Sequence, residues 1–166
     1  MNLPQINSLS AKMAIHIFMQ CCTSERWVEK MVENRPYSDV NALRKSADQA
    51  WQQLDEHDYL QAFDGHPKIG DVNTLKAKYA NTKQLASGEQ SSVNNATDEL
   101  IHKLAVSNRA YEQKYGFIFI VCATEKSAEQ ILNILSTRLQ NDRHRELEIA
   151  SEEQRKIFHL RLEKLL

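Results

Sequence analysis

The segment Phe63-Asp64-Gly65-His66-Pro67-Lys68-Ile69-Gly70 sets one histidine among two of the chain's four glycines and one of its three prolines. Pro67 disfavours helical geometry at His66, while Gly65 and Gly70 admit backbone conformations that other residues resist. The imidazole is therefore expected at a helix end, not packed along a helical face. It titrates near neutrality and can both give and take a proton, the work of a general acid or base. A helix-stop turn carrying an incidental histidine has the same pattern, and the segment alone does not choose between the two.

Two further clusters could handle a polar ligand. In Ala86-Ser87-Gly88-Glu89-Gln90-Ser91, small residues precede a carboxylate and an amide at an expected helix start. A plain N-terminal cap explains the pattern, and so does a pair, Glu89 and Gln90, facing a ligand rich in N–H and C=O groups. Near the C-terminus, Leu147, Ala150, Ile157, Phe158, Leu162 and Leu165 fall within one arc at about 100° per residue, and Arg161 lies inside that arc. A guanidinium on a core face cannot shed its charge, so it pairs with a protein carboxylate, snorkels to the rim, or binds an anionic ligand. Arg138, followed by Leu139-Gln140-Asn141-Asp142, stands at a helix end, where it is expected to cap carbonyls or pair locally.

No metal site is expected. Cys21, Cys22 and Cys122 have neither disulfide-framework nor zinc-ligand spacing and read as reduced core residues. The six histidines include no HExxH pair. His57, between Glu56 and Asp58, reads as part of a solvated polar face, since adjacent helical residues point in different directions.

Few glycines and prolines, together with steps of three and four between apolar residues, predict an all-α fold. Helices are expected from Ser10, from Ser24 until Arg35-Pro36, and from Ser38-Asp39 through Val40, Leu43, Ala47, Trp51 and Leu54. A short helix through Tyr59, Leu60 and Phe63 delivers the chain to His66. Others follow over about Leu75 to Leu85, Ala96 to Tyr115, from Ser127 with its capping partner Gln130, and Arg143 to Leu165. The exception is Phe117-Ile118-Phe119-Ile120-Val121-Cys122, a strand by propensity with no evident partner strand. It is either an extended segment whose backbone groups are open to a ligand or a buried stretch that turns helical.

At 166 residues, 42% hydrophobic and formal net charge −1, the chain reads as a single soluble domain spanning residues 1–166. Interspersed acids and bases argue against a nucleic-acid or membrane partner. Met1 to Ser10 lacks the features of a signal peptide, and the longest apolar run, Phe117 to Ala123, is too short to span a bilayer, so a cytosolic (cytoplasmic) location is expected.

In order and spacing, several fragments resemble the 2-oxo-4-hydroxy-4-carboxy-5-ureidoimidazoline (OHCU) decarboxylase family over almost the whole chain. They are Cys21-Cys22 with Ser24 and Trp27, Arg35-Pro36-Tyr37, His66-Pro67 with Gly70, Glu89-Gln90, and Tyr111 with Tyr115-Gly116-Phe117 and Phe119. Arg138-Leu139 with Asn141, Glu146-Leu147 and Leu160-Arg161-Leu162 complete the set. The resemblance implies a compact all-helical homodimer that completes the conversion of urate to (S)-allantoin, acting on a small ureidoimidazoline without cofactor or metal. It implies His66 as the proton-transfer residue, with Glu89 and Arg161 also catalytic. Pro67, Ala86, Ser87, Gly88, Glu89 and Gln90 would bind substrate, as would Phe119, Ile120, Val121, Cys122 and Ala123. Ala86 stands where the family's motif usually has serine, and Ser87 follows one place later.

The residue types suit such chemistry. A carboxylate on a carbon beside a C=N bond can leave as carbon dioxide while the electron pair moves onto nitrogen, so no external electron sink is required. Two competing readings are a non-enzymatic helical interaction domain, which predicts no turnover, and a metal-assisted hydrolase of cyclic amides, which predicts chelator sensitivity.

Overall fold

Local capping chemistry sets most of the helix starts. The computed structural model describes residues 1–66, 73 and 91–166. Helix α2 (Ala11–Cys21) starts where the Ser10 hydroxyl accepts from the Met13 amide, and α3 (Glu25–Glu33) where Ser24 accepts from Trp27. Asp39 accepts from Ala42 to open α4 (Val40–Gln52). Asp55 and Asp58 form a reciprocal capping box for α5 (Glu56–Asp64). After α6 (Ser91–Tyr115), Ser127 and Gln130 form the expected box for α7 (Ala128–Arg138), and α8 (Arg143–Leu165) ends the chain. Each such cap satisfies amides that the first helical turn leaves without partners.

An element absent from the sequence reading precedes these. Helix α1 (Leu3–Ser8) has a box between Asn2 and Gln5 but buries only Ile6, so it carries no periodic stripe to announce it. Long-range polar contacts hold it instead. Asn7 exchanges two 2.9 Å hydrogen bonds with the Tyr37 backbone, and Arg35 Nη1 donates to the carbonyls of Ile6 and Leu9. Helix α6 begins at Ser91, ahead of the expected Ala96. The helix expected over Leu75 to Leu85 lies outside the described residues.

The chain divides into two compact units, residues 1–66 with 147–166, and residues 67–146. In the first, α3 packs on α2, α4 and α5. Trp27, fully buried, is central to its core: its indole N–H donates to the Ala47 carbonyl at 3.1 Å, and its ring meets Phe18 edge-on and Phe158 at 5.0 Å. Trp51 contacts both Phe158 and Tyr59. Such aromatic pairs add about 0.5–1.5 kcal/mol each to the burial of their surface. In the second unit α6 packs on α7, burying Ile101, Leu104, Ala105, Tyr111, Tyr115, Ile131 and Leu135. Helix α6 ends at Gly116, whose φ of +80° suits glycine.

Among the described residues all regular structure is helical. No described helix is long and apolar enough to cross a membrane.

Candidate active site

The end of α5 positions His66. Gly65 caps the helix at φ −72°, a conformation open to any residue, so its role differs from the conformational one expected from sequence. Closeness decides the matter. A Cβ on residue 65 would lie 2.1 Å from Thr23 Oγ1, 2.5 Å from its Cγ2 and 2.8 Å from its Cβ. Thr23 sits there because its hydroxyl donates to the carbonyls of Gln61 and Ala62, two of those left open by the last turn of α5. The His66 amide then donates to the Phe63 carbonyl at 3.1 Å, which holds the half-buried histidine at the helix exit.

Within the same unit α8 supplies two polar side chains from its inner face. Ala150, Gln154, Phe158 and Leu162 follow one another at steps of four, each 1% exposed or less. Gln154 Oε1 lies 2.5 Å from His66 Nε2. Gln154 was not among the expected site residues, although its place in the step-of-four row was a legible signal. Its own Nε2 is buried and has no hydrogen-bond partner among the described residues. Arg161 is half-buried, and its Nη1 donates to the Cys21 carbonyl at 3.1 Å. Among the described residues it forms no ion pair.

Cys21 and Cys22 flank that contact as buried thiols. Burial pushes both up to about 12, against a smaller opposing pull from the Arg161 charge. At neutral pH they are thiols, poor nucleophiles and poor metal ligands.

The second unit contains a buried ion pair between Arg138 and Glu146. Arg138 is 5% exposed and Glu146 fully buried, with Nε and Oε1 2.5 Å apart. The Tyr111 hydroxyl donates to Glu146 Oε1, Asn141 Nδ2 donates to Oε2, and Arg138 Nη2 donates to the Tyr111 oxygen. Burial is the largest cause raising the Tyr111 hydroxyl above its ordinary range, and Glu146 adds to it, so the phenol stays a donor. Arg138 was expected to cap carbonyls or pair locally; instead it is the hub of a buried network that reaches Glu146 on the next helix, Tyr111 and the Ile120 carbonyl.

That hub organises the 117–123 segment. Residues 118–123 are neither helical nor paired with a strand among the described residues, so the strand suggested by propensity does not form. Arg138 Nη1 donates to the Ile120 carbonyl at 2.6 Å, and its guanidinium carbon stands 4.6 Å from the Phe119 ring centre. Lys126 takes the Cys122 carbonyl through Nζ and the Ala123 carbonyl through its amide. A run rich in β-branched and aromatic residues is thus held by side chains, not by a sheet, and three of its carbonyls are already engaged. Phe119, Val121 and Ala123 are half-buried, and Ile120 and Cys122 are buried.

Of the remaining expected site residues, Pro67, Ala86, Ser87, Gly88, Glu89 and Gln90 lie outside the described residues. The group most like a metal-ligand set among the described residues is Asp55, His57 and Asp58, whose ligand atoms lie within 4.8 Å of one another. Its carboxylates have other work: Asp55 and Asp58 cap α5, and Asp58 also binds Arg26 at 2.6 Å.

Comparison with known proteins bears on this arrangement. The OHCU decarboxylase family model matches residues 7–163. The uric acid degradation bifunctional protein TTL of Arabidopsis thaliana is 32% identical over 145 residues, covering 87% of this chain and 45% of that protein. The chain therefore spans less than half the length of that relative. A 2-oxo-4-hydroxy-4-carboxy-5-ureidoimidazoline decarboxylase from Halalkalicoccus jeotgali is 26% identical over 140 residues, covering 84% of this chain and 77% of that one. A crystal structure of OHCU decarboxylase in the presence of (S)-allantoin matches with a TM-score of 0.69 at 32% identity, covering 89% of this chain and 95% of that chain. With the match running through His66, Gln154 and Arg161 and over nearly all of both units, the chain belongs to the OHCU decarboxylase family.

Proposed function

We propose that this protein decarboxylates 2-oxo-4-hydroxy-4-carboxy-5-ureidoimidazoline to (S)-allantoin, with residues 1–166 acting as one catalytic domain. The observation that carries this reading is the presence, in one unit, of a histidine held through its ring nitrogen by a buried amide and of an arginine that no described carboxylate neutralises. The first can move protons, and the second retains its charge for an anionic oxygen or a ureide carbonyl.

The reaction breaks the bond between the hydroxyl-bearing carbon and its carboxylate. The released pair forms a double bond to the ureido-bearing carbon, while the C=N pair of that carbon moves to nitrogen, which takes a proton. The resulting enol loses its hydroxyl proton and gains a proton on the ureido-bearing carbon; delivery to one face gives the S product. His66 serves the proton transfers, Arg161 anchors the substrate, and Glu89 orients the imidazole or binds ureido N–H groups. Pro67, Ala86, Ser87, Gly88 and Gln90 contribute contacts, as do Phe119, Ile120, Val121, Cys122 and Ala123. No cofactor enters, because the substrate's own C=N bond accepts the electrons. The same reading has the protein working in the cytosol as a homodimer, which sedimentation would test.

The decisive experiment generates the unstable substrate from urate with the two preceding enzymes and follows optical activity. The expected result is faster appearance of (S)-allantoin with the wild-type protein and no acceleration with His66→Asn. Racemic allantoin at the uncatalysed rate with wild type would overturn the reading.

A further inference from the structure

Gln154 presents an anomaly that its packing does not account for. Its side chain is fully buried on the inner face of α8, yet its Nε2 has no hydrogen-bond partner among the described residues. A buried donor left unmade is costly, and such groups are uncommon in folded proteins. The other end of the same planar amide is engaged, with Oε1 2.5 Å from His66 Nε2. An amide oxygen only accepts, so this contact requires the proton on Nε2 of the ring and leaves the lone pair of neutral imidazole on Nδ1. A leucine or methionine here would fill the row between Ala150 and Phe158 without an unpaired donor.

We propose that Gln154 works through both ends of its amide: Oε1 fixes the orientation and tautomer of His66, and Nε2 donates to an oxygen of the bound substrate or product. The first function makes Gln154 a positioning residue for the histidine. The second makes it a binding residue for a ureide or carboxylate oxygen, and the identity of that ligand rests on the decarboxylase reading above. The donor that has no partner among the described residues is then the binding site's own contribution, satisfied when a ligand oxygen arrives.

The test uses the full chain, labelled with ¹⁵N-histidine, and two variants. Gln154→Met keeps length but removes both donor and acceptor, whereas Gln154→Glu keeps an acceptor and removes the donor. In ligand-free wild type, His66 is expected to give an Nε2–H signal protected from exchange with water, assigned by its loss in His66→Asn. Gln154→Met should lose that protection and Gln154→Glu should keep it. Titration with (S)-allantoin should show affinity weakened by about tenfold in both variants. An unchanged ring signal in Gln154→Met overturns the positioning role, and wild-type allantoin affinity in Gln154→Glu overturns the binding role. If Gln154→Met does not fold, Gln154→Glu still decides the second point, and loss of the ring signal in that variant, with its retained acceptor, overturns the first. None of these readouts depends on turnover. A wild-type protein that shows the expected signals but fails to accelerate (S)-allantoin formation would remove the decarboxylase reading and leave the His66–Gln154 pairing standing.

Discussion

Replacing Gly65 by alanine tests whether the approach of Thr23 sets the position of His66. Its backbone, at φ −72° and ψ −8°, accepts alanine without strain, and loss of glycine's freedom in the unfolded chain alone would stabilise by about 0.4–1 kcal/mol. Crowding opposes this. The new methyl would lie 2.1 Å from Thr23 Oγ1, so the hydroxyl must retreat by more than about an ångström to reach ordinary contact. Rotating it away sacrifices the single O–H donation shared between the Gln61 and Ala62 carbonyls, worth about 0.5–1.5 kcal/mol, and leaves the Thr23 Cβ itself too close at 2.8 Å. Backbone adjustment adds about 1–3 kcal/mol, for a net loss of about 0.5–4 kcal/mol after the unfolded-state gain. The same adjustment moves the residue next to His66, and a displacement of about 1 Å at a reacting group costs on the order of 100-fold in rate. Urea denaturation and the coupled optical assay measure the two effects. Thr23→Gly removes all three crowding atoms, so the double variant should regain stability and rate relative to Gly65→Ala. A Gly65→Ala protein within about 0.5 kcal/mol of wild type and fully active would refute the reasoning. So would a Thr23→Gly change whose cost simply adds to that of Gly65→Ala.

Arg161→Met should fold nearly as well as wild type, because no described carboxylate is left uncompensated, while the rate of (S)-allantoin formation collapses. Arg161→Lys should recover little, since an ammonium does not reproduce the planar fork, and a destabilised but active Arg161→Met would exclude the anchor role. Glu146→Ala strands the buried Arg138 guanidinium and should cost about 3–5 kcal/mol in urea melts; the paired replacement Arg138→Met with Glu146→Leu should cost much less. The folded-state thiols of Cys21 and Cys22 are raised from 9.0 to about 12, so their contribution is complete below pH 9 and is lost as pH rises from there toward 12. Stability should fall over that window by up to about 1.4 kcal/mol per pH unit for each thiol, and a Cys21→Ala, Cys22→Ala protein should show a flatter alkaline limb. Exhaustive chelation should leave turnover unchanged, and zinc-dependent recovery of a lost activity would contradict a cofactor-free reaction.

Much of the secondary structure was legible because its causes are local. Ser10, Ser24, Asp39 and the Ser127–Gln130 box each act on amides three residues on, so the letters carrying a helix start lie beside it. Helix α1 escaped because its stability comes from Asn7 and Arg35 reaching residues far along the chain. The 117–123 segment was legible as an extended run with no partner strand, but its anchor was not: the donor that holds the Ile120 carbonyl is a guanidinium on α7. The order and spacing of the family's fragments were also present in the sequence, and with them the expectation that His66 and Arg161 belong to a decarboxylase.

Helical periodicity determined which residues face inward, and tertiary structure alone decided what they meet there. Arg161 and Arg138 illustrate the division. Both follow apolar residues at steps of three and four, Arg138 after Ile131 and Leu135, yet only Arg138 finds a buried carboxylate among the described residues. A helix face specifies a direction at about 100° per residue and carries no information about the element opposite. Likewise Gly65 reads in sequence as conformational licence, whereas the fold places Thr23 against it and makes space the constraint. Gln154 reads as one polar residue in an amphipathic helix until folding brings it to His66, 88 residues away in the chain, and turns an unremarkable amide into the partner of the imidazole. Caps and periods are short-range properties of the covalent chain; partners are set by packing between remote segments, where each side chain's chemistry is completed by another that the local sequence does not name.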